Sequence, residues 1–189
     1  MRENSFGPGR SREYDRRSAS DPVRVTSRPR NGWPGCIRSS QVHIETTRFG
    51  TVEVDDSRIV SFPSGLLGFS SFRRFVLLQP DDDGVFYWLQ SVESPDLAFV
   101  VTDPSLWTPE YKANIRREQM DELSLKEIGD AQVLAIVNKR DDKLTLNLQG
   151  PLVLNIANCT GMQLVLADKR WSTRQEIVRL DAAARAVPA

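Results

Sequence analysis

The chain is short of the residues that do chemistry. Across 189 residues it has one histidine, His43, and two cysteines, Cys36 and Cys159. Two cysteines in such unlike contexts build neither a disulfide framework nor a metal-ligand spacing, which points to a reducing compartment. A nucleophilic triad would have to run through His43, at the edge of a basic N-terminal segment, and Cys159 has no neighbouring histidine or lysine to activate it. No run approaches the roughly 18 apolar residues that cross a bilayer, so a soluble protein is expected. Phosphate loops are missing too, since "SGLLGF" (Ser64 to Phe69) carries two glycines in neither the lysine-bearing nor the dinucleotide order. The acidic clusters Asp55-Asp56, Asp81-Asp82-Asp83 and Asp141-Asp142 fall in turns between apolar runs, where aspartate favours the turn and keeps sheets soluble. "DDDG" lacks the alternating spacing of a calcium loop. These absences lead to an expectation of no catalytic residue, no metal and no cofactor.

What is present is an asymmetry of charge. The formal net charge is zero, but Met1 to His43 hold 9 arginines and 4 acidic residues, net +5, leaving 16 basic and 21 acidic residues, net -5, in the rest. The basic arm is rich in Arg, Ser, Pro and Gly and lacks apolar periodicity, so burial cannot offset its ordering entropy and it is expected to be disordered. Arg16-Arg17 is no twin-arginine export signal, because no apolar stretch follows it. Two readings of the arm stay open: an extension without a role, including one from a start codon set too early, or an arm that attracts nucleic-acid phosphates. The expected division is therefore arm 1–43, β domain 44–178 and short tail 179–189.

From Ile44 onward, short β-branched and aromatic runs alternate with turn signals, the pattern of an all-β sandwich or barrel. Strands are predicted in "HIETTRFG", "TVEV", "RIVSF", "RFVLLQP", "VFYWLQSV", "LAFVVTD", "AQVLAIVNK", "LTLNLQ", "LVLNIAN" and "QLVLAD". Turns are expected at Asp81 to Gly84, at Ser94-Pro95-Asp96, in "RDDK" and in "CTGM". Between Pro109 and Gly129 the composition favours one or two helical turns: one docks Met120 and Leu123, and a second has Ser124 as N-cap and Gly129 as terminator. Along "KLTLNLQ", Leu144, Leu146 and Leu148 should face the core, leaving Thr145, Asn147 and Gln149 for hydrogen bonding. The apolar turn residues Leu66, Leu67 and Phe69 fit either a lid folded over a barrel or an exposed docking patch. In "FYWLQS", Phe86 and Trp88 must point one way and Tyr87 and Leu89 the other, so one pair needs a cover outside the core.

In order and spacing, "FPSGLLGF", "FVLLQPDDDGVFYWLQSVESPDLAFVVTDP", "LTLNLQGPLVLN" and "WSTRQEI" closely resemble the flagellar assembly factor FliW family from about Thr47 to Ile177. The resemblance implies a small, mostly antiparallel β-barrel-like domain with one or two short helices, monomeric and cytoplasmic, that binds proteins and performs no chemistry. Its implied partners are flagellin before export and the translational regulator CsrA, whose repression of flagellin translation is relieved when freed FliW captures it. Neither a membrane nor direct nucleic-acid contact is implied. The residues matching the family signature, and so the expected partner-binding set, include Leu66, Leu67, Phe69, Trp88, Gln90, Ser91, Pro95, Asp96, Asn147 and Gln149, with Tyr87 beside them. Gly65, Gly68, Leu89, Leu97, Phe99, Leu148, Pro151, Asn155 and Ser172-Thr173-Arg174 also match. Gly150 departs from the usual alanine, and Gln175 stands where histidine commonly follows the Ser-Thr-Arg triplet. The competing expectation is an RNA-binding β-barrel that uses the arginine arm, with Tyr87 as a stacking platform.

Overall fold

Alternation of buried and exposed side chains sets in at Gln41 and shapes the first hairpin. The computed structural model describes residues 40–80 and 84–179, without the side chains of 178 and 179. The arm up to residue 39, the Asp81 to Asp83 turn and the tail from 180 lie outside them. Strands β1 (Gln41–Thr46) and β2 (Gly50–Asp55) pair antiparallel, with Ile44 opposite Val52 and Val42 opposite Val54. The Thr46 hydroxyl closes the turn by donating to the Gly50 carbonyl and accepting from the Phe49 amide, both at 2.9 Å. Gln41, Val42 and His43, grouped with the arm above, are thus strand residues, and His43 is exposed opposite Glu53.

Among the described residues nine further strands follow: β3 (Ile59–Ser61), β4 (Arg74–Leu78), β5 (Phe86–Ser91), β6 (Ala98–Thr102), β7 (Ala131–Arg140), β8 (Lys143–Leu146), β9 (Leu152–Asn155), β10 (Thr160–Gln163) and β11 (Gln175–Arg179). They run β7-β6-β5-β4-β3-β10-β9 and return to β7, a closed ring of seven. Closure depends on the length of β7. Its first half, Ala131 to Leu134, pairs with β9, and its second half, Val137 to Arg140, pairs with β8. β8 and β11 therefore leave the ring as a side sheet. Every junction of the ring is antiparallel except β3–β10, a parallel contact with a single bridge, Thr160 to Ser61.

Period-two alternation divides the apolar residues among three cores. Val60, Phe75, Leu89, Val101, Leu134, Leu152 and Leu154, drawn from six ring strands, fill the interior with Phe62 and Leu66. On the outer face of β7 to β9, Val137, Leu146, Leu148 and Val153 pack against Tyr111, Ile115, Leu123, Leu125 and Trp171 of the long connections. On the outer face of β4 and β5, Val76, Leu78 and Trp88 are covered by Ile44, Val52 and Val54 of the first hairpin. The opening pattern of β5 resolves accordingly. Tyr87 and Leu89 belong to the interior cluster, Trp88 to the hairpin core and Phe86 to the β7-side core, stacked on Trp107 at 5.5 Å.

The helical segment is one α-helix, α1 (Arg117–Glu122), which docks Met120 and Leu123 as expected. The second expected turn is corrected. Ser124 is not an N-cap: it has φ +54, and a 3-10 turn, Ile128–Asp130, follows Glu127 instead. The Ser124 amide bonds the Asp121 carbonyl and the Leu125 amide bonds the Met120 carbonyl, which is a Schellman ending of α1 with serine where glycine is usual. The predicted strand in "QLVLAD" is also shortened. Only Gln163 is in β10, while Leu164 and Leu166 continue the line by donating to the Pro151 and Gln149 carbonyls.

Candidate functional site

Where β3 leaves β10 after its single bridge, the loop Pro63 to Phe69 turns away and opens a groove. The Phe62 and Leu66 carbonyls accept from Gly65 and Phe69, both at 2.8 Å, so two successive tight turns carry the loop. The second has Gly68 at its third position with φ +82, as a type II turn requires. Gly65 serves a different need. A β-carbon there would lie 2.6 Å from the Ser70 Cα, so the loop closes on itself only with glycine.

The double turn divides its apolar residues. Leu66 is 2% exposed and belongs to the barrel interior, whereas Leu67 is 60% exposed. Phe69 is 37% exposed and meets Phe99 edge-on at 5.1 Å; Phe99 in turn touches Phe75 of the interior. The loop thus buries one apolar side chain over the barrel and exposes the next. The groove, about 210 Å³, has Pro63 to Gly68 as one wall, Gly161, Met162 and Gln163 as floor and Glu122 of α1 at its rim. Gln163 pins the wall to the floor, accepting from the Leu67 amide at 2.9 Å and donating to the Gly150 carbonyl at 3.2 Å.

The remaining signature residues divide by burial. Gln90 and Ser91 have no exposed surface. Gln90 Nε2 lies 3.0 to 3.3 Å from the carbonyls of Ser91, Ser94, Pro95 and Leu97, and the Ser91 hydroxyl accepts from the Glu93 and Ser94 amides. Together they hold the β5–β6 turn from within. A carbonyl-lined pocket needs an amide donor, which is the physical reason for glutamine at this point. Pro95 and Asp96 are exposed at its tip, where their carbonyls accept from the Thr47 amide at 3.2 Å and from Arg48 at 3.3 Å. Trp88 meets Phe49 at 5.9 Å and lies under the Arg48 guanidinium at 4.8 Å. Tyr87, expected as a free stacking platform in the RNA reading, packs against the interior core instead. Asn147 and Gln149 are half-buried, and the Asn147 carboxamide oxygen accepts from the Gly150 amide at 2.9 Å. Asn155 is buried and donates to the Leu123 carbonyl at 2.8 Å, tying the end of α1 to β9.

The structure brings Leu66, Leu67 and Phe69 together and separates them from the Trp88–Pro95–Asp96 cluster, which the first hairpin shares. Sequence reading missed Met162 and Gln163 as the groove floor. Met162 was expected in a turn, "CTGM", whose Thr160 to Met162 are instead strand β10, and Gln163 at the start of the following strand; only the departure of β3 exposes them. Cys159, expected to be incidental, is buried with its thiol 3.0 Å from the Ser57 carbonyl. Among the described residues no cluster of three or more His, Cys, Asp or Glu is arranged to hold a metal ion, and no helix is long and apolar enough to cross a membrane.

Comparison with known proteins follows the same outline. The model of the FliW protein family matches residues 43–177. The flagellar assembly factor FliW of Bdellovibrio bacteriovorus is 42% identical over 136 residues, 71% of this chain and 78% of the relative. That of Geobacter sulfurreducens is 39% identical over 146 residues, 76% of this chain and 90% of the relative. A crystal structure of the flagellar assembly factor FliW superposes with a TM-score of 0.67 at 31% identity, covering 72% of this chain and 97% of that one.

Proposed function

The chain belongs to the FliW family of flagellar assembly factors, which are not enzymes, and from that premise we propose that it acts as a monomeric partner switch in the bacterial cytoplasm. In this reading it holds flagellin before export. Once flagellin leaves, it captures CsrA and lifts the repression of flagellin translation. Binding energy alone drives such a switch, so the protein needs complementary surfaces and no reactive group.

One observation carries the reading: Leu67 stands out from a rigid double turn beside an apolar groove, while its neighbour Leu66 anchors the turn in the barrel. Flagellin's ends are amphipathic helices, and an apolar side chain beside a groove on a fixed scaffold suits that class of partner. Phe69, Pro95 and Asp96 are the other exposed members of the proposed contact set. Leu66, Tyr87, Trp88, Gln90, Ser91, Asn147 and Gln149 serve it from beneath, by fixing the turns that present those residues.

The test is Leu67→Asp in the full chain, measured by titration calorimetry against flagellin. Leu67 is exposed, so the thermal midpoint should stay unchanged while affinity falls at least about tenfold, roughly 1.4 kcal/mol. An unaltered affinity in the folded variant would remove the loop from the flagellin contact.

A further inference from the structure

We propose that in the free protein the groove is occupied by this chain's own basic arm, anchored by Trp33, with Arg30 set against Glu122. The size of the groove, about 210 Å³, falls below the roughly 300–1,000 Å³ of small-molecule sites and suits a single large side chain. Its lining of Leu66, Leu67, Met162 and Pro63 calls for an apolar anchor, and Glu122 on its rim has no ion pair among the described residues. The matching occupant is therefore an apolar residue flanked by positive charge, and "RPRNGWPGCIRSS" has that composition.

Reach and charge single out this occupant. The Ser40 carbonyl accepts from the Asp56 amide at 2.9 Å, and the next residue, Ser57, holds the Cys159 thiol at 3.0 Å. From Cys159, the four residues to Gln163 span about 13 Å along the strand line to the groove floor. Trp33 lies seven residues before Ser40, and seven extended residues cover about 23 Å. Ile37, three residues before Ser40, reaches only about 10 Å and falls short of the groove floor, while Phe6, Tyr14, Val23 and Val25 lie further from this anchor point along the chain than Trp33. The segment to His43 carries net +5 and the rest net -5, so the complementary surfaces belong to one molecule. A short tether raises the local concentration of the arm to the millimolar range, enough to populate a contact too weak to form between separate molecules. A partner entering the groove must then displace the arm. That competition rests on the flagellin reading above, whereas the arm contact itself does not.

Hydrogen exchange on the full chain, without flagellin or CsrA, tests the contact directly. Trp33→Ala should accelerate exchange in Leu67 to Ser70 and in Gln163 to Val165 about fivefold and leave the β5 and β7 amides unchanged. Arg30→Glu should do the same, and Glu122→Lys in the same chain should restore protection. Equal exchange in wild type and both variants would overturn the proposal. So would an acceleration that appears only at high protein concentration, since the arm would then be reaching a second copy. Trp33→Ala should also tighten flagellin binding. If exchange responds but flagellin affinity does not, the arm contact stands and the shared-groove reading falls.

Discussion

Tyr111 shows how one side chain couples the barrel to its outer layer. Its hydroxyl donates to the Leu148 carbonyl at 2.9 Å, and its ring meets Trp171 edge-on at 4.9 Å. Burial pushes the phenol well above its ordinary pKa of 10.0, because the phenolate would lose its hydration. With the folded value raised, this stabilisation is complete below about pH 10, where the unfolded tyrosine is also neutral. It is lost as pH rises from there through the folded value, because the unfolded chain releases the proton first. Denaturation at stepped pH should show stability falling above about pH 10, and Tyr111→Phe should remove that component of the slope. At neutral pH the same substitution leaves the Leu148 carbonyl without its hydroxyl donor and should cost roughly 1–2 kcal/mol. An identical alkaline slope in the variant would assign the effect elsewhere. Leu144, Leu146 and Leu148 were legible from alternation alone, and all three lie in the outer core they imply. Ser124 was not. A serine three residues before a glutamate satisfies the N-cap rule as well as it fills a strained C-terminal position, and only the docking of Leu123 and Leu125 on either side selects the second.

At the scale of elements, the first hairpin and the Pro63 to Phe69 loop do opposite things with large apolar side chains. The hairpin covers the outward side chain of Trp88, so the aromatic cluster that opens β5 needs no partner to bury it. The loop leaves Leu67 uncovered. Trp88→Ala removes an aromatic that the hairpin, Phe49 and Arg48 all touch, and should cost about 2–4 kcal/mol by denaturant midpoint. The amides of β1 and β2 should exchange faster, while those of β7 and β9 hold. If β1 and β2 keep their protection, Trp88 is not what holds the hairpin down. The hairpin strands themselves were readable, since Val52 and Val54 alternate with Thr51 and Glu53. Where the hairpin docks was not, because nothing local tells which apolar face an isolated pair will cover.

For the whole molecule, charge separation is the dominant feature. CsrA must present a basic surface to RNA, and in the proposed switch the acidic body, net -5 over residues 44–189, attracts that surface and repels RNA from it. Affinity for CsrA should therefore fall several-fold between about 50 and 300 mM salt, as the Debye length shortens. A salt-independent affinity would leave the charge balance without a role in this contact. Composition and alternation by themselves determined a mostly β chain, the inward and outward faces of its strands and the scarcity of reactive groups. These are local quantities, carried by side-chain type and by a period of two. Closure of the ring belongs to the tertiary structure alone. It requires β7 to divide its edge between β9 and β8, and β3 to touch β10 at one residue before leaving it. The groove exists only because of that departure, so Met162, Gln163, Glu122 and Leu67, which are distant in sequence, become one surface through pairing that no local pattern records.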